Sequence, residues 1–466
     1  MTDPEKNPSE HPLPPGSTGL PGLGEFLAFR GDGRGFFLER FRKHGSVFRT
    51  RLGGDVVCLV GPEAVTFLQD TEFFDRVEAN GGPPRALMNN NALPLLSGEK
   101  HAKRKRLMNQ ALSRSALEGY LPLLESIIDR WISRWHVLTE FTWLHEFEKY
   151  GTGLANALLL GELTGSTEPD LEETYRRFAN GLGAFPLNLP FTAFRKALNS
   201  KDKLTLRIEE SVALHRNAID EGEPLPNLMT GLLQARDGDE GFDDDALRDE
   251  VLHLFLALTA VRLVLTAMCL ALGEHRAVMH RARDEVMALC PPCPPQCPPE
   301  PLTMDTLDKL TYLGAIAREA RRINPPLPNT FLSRVKKGTV FNNYQIPEGW
   351  KAIGGLYATM NVPETYDDPL VFDAERFTNE KAVRPPGSYC PQGVSSKEDL
   401  AASEPFRGHR CAGEPFIDTL TKVVGVHLLR THTWSLPDQD LTYTTDFFPV
   451  PRHGLKVLFR PLYTDS

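Results

Sequence analysis

Phe406-Arg407-Gly408-His409-Arg410-Cys411-Ala412-Gly413-Glu414 decides how this 466-residue chain is read, because the run opens a long amphipathic stretch that ends near Arg430. A single thiol at the start of a helix, with Arg407 and Arg410 just before it, is suited to remain a thiolate. Such a thiolate is an axial ligand for haem iron. The competing reading is an inert buried thiol, which is what an isolated cysteine usually is.

Composition narrows the class without choosing the fold. With 41% apolar and 9% aromatic residues the chain can bury a large core, and its length allows two or three domains. A net charge of −9 gives no global basic field, so no nucleic-acid partner is expected. Seven cysteines (58, 269, 290, 293, 297, 390, 411) form an odd set behind a start that does not read as a secretion signal. That argues for reduced thiols in a cytoplasmic setting. Met1 to Pro15 is polar and proline-rich, unlike an anchor helix. Val251 to Gly273 is long and apolar enough to span a bilayer, but His253 and Arg262 interrupt it. A central core helix fits the same composition, so no transmembrane anchor is expected.

Periodicity predicts a mainly α protein with a small mixed β region. Val47 to Val60 alternates about Gly53-Gly54 and reads as a hairpin. Helical spacing follows over 102–112, 116–136, 140–162, 171–183, 201–221, 244–285, 305–323 and 413–430. Strand signals return at 335–340, 349–353 and within 441–459. Cys290, Cys293 and Cys297 lie in a proline-rich tract that reads as an exposed linker, because no fourth metal ligand is near. Pro385 to Pro405 is a second loop, running up to the thiol.

Cys411 does not stand alone. Glu319-Ala-Arg-Arg322 places an acid and a base three apart on one helical face, and Phe372-Asp-Ala-Glu-Arg376-Phe377 supplies a second arginine. Either pair alone could be a surface salt bridge. In this order, ahead of the cysteine, they resemble the cytochrome P450 superfamily from Leu13-Pro-Pro-Gly16 to about Phe459. The resemblance implies a P450 fold with one domain over 13–466 behind a disordered tail over 1–12, enclosing haem b (iron-protoporphyrin IX). It implies that Glu319, Arg322 and Arg376 are structural and that Cys411 is the proximal ligand. Pro14-Pro15-Gly16-Ser17, Leu187-Asn-Leu-Pro-Phe191 and Tyr344-Gln-Ile-Pro-Glu-Gly-Trp350 are similar to the retinoic-acid hydroxylase branch and its bacterial relatives. By the same resemblance His101, Lys105, Arg334 and His409 face the haem propionates, with Lys105 a point charge where the family has arginine. The plain alternative for 100–106 is a solvated charged face.

Two departures bear on activity. The family's loop has Phe, Gly and Arg where this chain has Glu404, Arg407 and His409, and the short Gly408-to-Glu414 run resembles that of the fatty-acid peroxygenases, which use hydrogen peroxide. On the distal helix the family's acid and alcohol, which relay protons for O–O cleavage, fall on Thr259 and Ala260. Arg262, three residues after Thr259, either holds a substrate carboxylate, as the resemblance to the peroxygenases implies, or pairs with an acid or backbone carbonyl on the helix's far side.

The expected activity is haem-thiolate oxidation of a hydrophobic small molecule, of fatty-acid, retinoid or terpenoid type, driven by hydrogen peroxide. The alternatives are a dioxygen monooxygenase served by ferredoxin and ferredoxin reductase, a non-redox haem isomerase, dehydratase or cyclase, and a non-catalytic haem-binding protein. Asn80 to Leu96, Phe185 to Phe194 and Pro325 to Phe331 are expected to line an oily pocket.

Overall fold

The structure, a computed structural model, describes residues 8–77, 79–162, 169–291, 300–378, 384–395, 408–444 and 448–462. Glu404, Arg407, Cys293, Cys297 and the first seven residues of the expected tail lie outside these residues. The chain joins the fold before residue 13: Pro8–Glu10 form a 3-10 turn and Pro12 O accepts from Gln345 N at 3.0 Å.

The longer helices are α1 Gly33–His44, α2 Gly98–Ala111, α3 Arg114–Leu138, α4 Trp143–Ala155, α5 Pro169–Asn180, α6 Ala193–Asp220, α7 Asp244–Leu258, α8 Ala260–Glu274, α9 Arg276–Leu289, α10 Thr311–Ile323 and α11 Glu414–Thr431. Their starts are written in side chains. Ser113, Thr192 and Asp243 each accept a hydrogen bond from the backbone N–H three residues on, which satisfies a donor the helix itself leaves open.

The strands are β1 Val47–Arg51, β2 Asp55–Leu59, β3 Phe74–Asp75, β4 Glu140–Thr142, β5 Ser333–Val335, β6 Thr339–Phe341, β7 Tyr344–Ile346, β8 Lys351–Gly354, β9 His432–Ser435 and β10 Lys456–Pro461. They form a sheet of order β1-β2-β8-β5-β3, a smaller one of order β4-β10-β9, and the β6-β7 hairpin. The predicted hairpin is β1-β2, pairing Val47 with Leu59, and Gly53 takes the positive φ (70°) that its turn requires. β2 and β8 run parallel, so this sheet ties the N-terminal region to the segment after α10.

The long apolar stretch is a core helix, 78% buried within the protein. It is interrupted rather than continuous. Thr259 N bonds Leu256 O at 3.2 Å, and Thr259 Oγ1 donates to the same carbonyl at 2.6 Å, so the hydroxyl competes with the helical ladder and α7 gives way to α8 there. α8 packs on α4 and α10, and Trp434 Nε1 donates to Cys269 O at 3.0 Å, locking the small sheet to it.

Candidate active site

α10 and the loop into α11 build the thiol side. Glu319 and Arg322 are fully buried and joined by two hydrogen bonds, Nε to Oε2 at 2.7 Å and Nη2 to Oε1 at 2.8 Å. Arg376 Nε approaches Glu319 Oε1 at 3.3 Å, and Asp373 N donates to the same oxygen at 3.1 Å. Arg322 also donates to Met360 O at 2.7 Å. Three distant segments thus share one buried carboxylate, which fits the structural role expected for these residues.

Arg321, next along α10, reaches the cysteine loop and was not singled out in the sequence. Its Nη1 donates to Gln392 Oε1 at 3.0 Å, its Nη2 pairs with Asp418, and Gln392 O accepts from Cys411 N at 3.0 Å. Gly393 has φ 97°, and a Cβ there would lie 2.5 Å from His409 O, so this loop is pinned against the thiol segment by a position open to glycine.

Cys411 itself is solvent-accessible although protein surrounds it. The two observations agree if the sulfur faces an internal cavity, and that is the setting a flat prosthetic group needs. Of the two cations expected to favour the thiolate, Arg407 lies outside the described residues. Burial pushes the Cys411 pKa up, against the pull of the Gly413 N–H, Lys105 and Arg321. Arg410 is turned away to Glu414, Nε to Oε2 at 2.5 Å, and Cys411 precedes the first residue of α11 by three. Desolvation therefore outweighs the helix end, and a bound metal ion is what would deprotonate the sulfur.

Above the loop a second cluster forms. His101 and Lys105, one turn apart on α2, are both buried. The His101 ring lies 4.2 Å from that of His409, and Lys105 Nζ donates to Gly408 O. Arg76, also buried and also missed by sequence reasoning, adds a fourth cationic or basic group. Its Nε has no hydrogen-bond partner, its Nη1 reaches only Pro94 O at 3.4 Å, and no carboxylate pairs with it among the described residues. Burial pushes its pKa down to about 9. It likewise holds His409 far below its usual value, with Arg76, His101 and Lys105 adding repulsion. Buried positive charge without a counter-anion is costly unless an anion belongs there. The residues therefore fit haem: a thiol for the iron and a dry basic recess for propionates. The only sequence signal for Arg76 was an arginine directly after the short strand residues Phe74 and Asp75. Arg334 stands apart from this cluster, exposed on β5 in register with Asp75 and Lys351.

The distal residues separate. Ala260 is half-buried, whereas Arg262, about 200° further around the helix, turns to α4 and pairs with Glu148 Oε1 at 3.3 Å. Thr259 and Arg262 border a small cleft with Glu148 and Tyr175, between α4 and α5. Of the two readings of Arg262 the structure has the ion pair with an acid on the far side. A charge in an apolar helix is neutralised by the nearest carboxylate, here Glu148 on α4.

Asn80, which opens one expected lining segment, is clamped to Leu332, the residue just past another: Asn80 Nδ2 donates to Leu332 O at 2.8 Å and Leu332 N to Asn80 Oδ1 at 3.0 Å. The third is divided: Phe194 is buried and Pro186 lies near Gly82, whereas its other aromatics are open. Phe185 and Phe191 are 64% and 90% exposed, because the α5–α6 connection runs over the surface.

A helical body that closes around one accessible cysteine, with a dry cationic recess beside it, defines a haem-thiolate class of enzyme. The chain belongs to the cytochrome P450 family, whose model matches residues 14–459, and is thus an oxidoreductase with a haem-thiolate cofactor. Cytochrome P450 120 of Synechocystis sp. is 29% identical over 459 residues, covering 97% of each chain. Mouse cytochrome P450 26C1 is 28% identical over 98% of this chain and 90% of its own. The solved structure of retinoic acid-bound cyanobacterial CYP120A1 superposes with a TM-score of 0.83 at 28% identity, covering 97% of this chain and all of that one. Cytochrome P450EX alpha with myristic acid shares the fold, at a TM-score of 0.72 and 20% identity.

Proposed function

We propose that this chain is a monooxygenase for a lipophilic small molecule of retinoid, terpenoid-acid or fatty-acid type, with Cys411 as the axial ligand of haem b. His101, Lys105, His409 and Arg76 would hold the propionates, and Glu319, Arg322 and Arg376 the frame behind the thiol. The observation that carries this reading is the accessible Cys411 beside a buried basic cluster that contains an unpaired arginine. Relatives support the substrate class: a CYP120A1 bound to retinoic acid, and abscisic acid 8'-hydroxylase 1 of Oryza sativa at 25% identity over 98% of this chain. When bound, haem would supply the oxygen activation. The protein supplies a dry cavity and orients the substrate.

A second reading concerns the oxidant. The Thr259 hydroxyl is committed to Leu256 O, and Ala260 has no hydroxyl, so neither offers the proton relay that dioxygen cleavage uses. This favours hydrogen peroxide over ferredoxin and ferredoxin reductase. Optical titration with retinoic, abscisic and fatty acids, followed by parallel assays with peroxide alone and with a ferredoxin system, tests both readings. Absence of any substrate-induced spectral shift would overturn the first, and turnover with ferredoxin only would overturn the second. Thr259→Ala should leave the rate of product formation with peroxide unchanged.

A further inference from the structure

α7 is buried along most of its length, yet Ala257 is exposed and Ala260, just past the interruption, is half-buried. His253, Ala257 and Ala260 fall at i, i+4 and i+7 and so share one face. An exposed methyl in the middle of a core helix borders open space, and His253 stands one turn before it on the same stripe. A turn earlier still, Glu250 is fully buried and holds three donors. Its Oε2 accepts from Leu93 N at 2.9 Å and from Arg104 Nη1 at 3.1 Å, and its Oε1 is 2.5 Å from His253 Nδ1.

The same helix that supplies Arg104 also supplies His101 and Lys105, which reach His409 and Gly408 in the loop before Cys411. α2 therefore carries both the Arg104 partner of Glu250 and the two residues that reach the thiol loop. With Nδ1 committed to Glu250, the imidazole orientation is fixed and Nε2 remains. That nitrogen has no hydrogen-bond partner and is not sealed into the core. A histidine fixed by a buried carboxylate through one nitrogen, with the other facing a cavity, is the arrangement of a general acid–base.

We propose that His253, oriented by Glu250, is the acid–base group of this cavity and takes the place of the relay that Thr259 and Ala260 do not provide. With a hydroperoxide as oxidant, Nε2 accepts the proton of the O–H nearer the thiol side and returns it to the outer oxygen as the O–O bond breaks. Both bonding electrons leave with that outer oxygen, which departs as water from hydrogen peroxide or as an alcohol from an organic hydroperoxide. The retained oxygen is delivered to a substrate C–H bond, so peroxide and substrate give hydroxylated substrate and water, with His253 unchanged. Glu250 is a positioning residue, acting through the histidine. The inference rests on the proposed haem-thiolate site.

Two readouts test it on the haem-loaded protein with His253→Leu, His253→Gln and Glu250→Gln. Hydrogen cyanide must give up its proton to a base as it binds, so its association rate in stopped flow should fall at least tenfold in His253→Leu. Cumene hydroperoxide should give mainly cumyl alcohol with the parent protein, whereas the acetophenone share marking one-electron cleavage should rise at least fivefold in both histidine variants and less in Glu250→Gln. Unchanged cyanide rates and product ratios, in variants that keep the parent's reduced carbon-monoxide spectrum, would overturn the inference. If His253→Leu does not retain haem, His253→Gln, which keeps much of the volume and a polar tip, carries both readouts. A parent protein without a thiolate-type carbon-monoxide spectrum would instead refute the proposed site.

Discussion

Replacing Glu319 with alanine removes the one acid shared by Arg322, Arg376 and the Asp373 N–H, all inside the protein. Glu319 and Arg322 have no exposed side-chain surface, so water cannot take over the lost bonds. Breaking a buried pair by deleting one partner costs about 3–5 kcal/mol, chiefly because the other charge is left uncompensated. Arg322 keeps the Met360 carbonyl at 2.7 Å and the Tyr366 ring at 4.7 Å, which places the expected loss nearer 3 kcal/mol than 5. Against a total stability of about 5–15 kcal/mol, that lowers the folded-to-unfolded ratio by roughly a hundredfold or more. Equilibrium urea unfolding of the parent, Glu319→Ala and Glu319→Gln reads it directly, and Glu319→Gln, which keeps one acceptor, should fall between the others. Glu319→Met combined with Arg322→Met should recover part of the loss, since apolar groups of similar volume leave no stranded charge. A Glu319→Ala protein within about 1 kcal/mol of the parent would show that the network does not bear on stability as argued.

Arg76→Leu should act in opposite directions on the two forms of the protein. It should stabilise the haem-free chain by about 1–3 kcal/mol, because an unsatisfied buried group is removed, yet speed haem loss; transfer of haem to an acceptor protein, followed by absorbance, measures the second effect. The depressed pKa sets the pH window: Arg76 destabilises the haem-free fold while protonated, fully below about 9, and less as pH climbs from there toward the ordinary arginine range. Arg262→Ala should change carboxylic-acid affinity less than twofold relative to the matching methyl ester, with a stability cost of about 0–1 kcal/mol for a partly exposed pair. A selective loss of acid binding in the optical titration would return Arg262 to the substrate site. His427 supplies a pH test: burial opposes its protonation, but Asp129 at 2.6 Å and Glu125 at 3.5 Å outweigh it and raise the pKa. Its contribution should be fully present below about 6.5 and vanish as pH rises through the raised value. The gap between parent and His427→Asn in urea unfolding should therefore close on the alkaline side.

Order along the chain carried the family. Glu319-Ala-Arg-Arg322, then Arg376, then Cys411 is a pattern of spacing and residue type, and the alternation of 47–60 and the helical runs around it are local signals that a one-dimensional reading can hold. That His101, Lys105 and His409 belong to one propionate site was expected through resemblance; their contacts with one another came from the fold. Charge balance was not legible. Whether Arg410 serves the thiol or Glu414, whether Arg262 meets a ligand or Glu148, and whether the Thr259 hydroxyl is free or tied to Leu256 O depend on which partner the folded chain brings within about 3 Å. Burial settled the rest. Arg76 follows a short strand and Arg334 lies on one, but desolvation leaves the first an unpaired cation beside His409 and the second exposed. The physical reason is that residue type and period determine which elements form, whereas the sign and cost of a charge depend on the dielectric and the counter-charge around it, and packing alone supplies both.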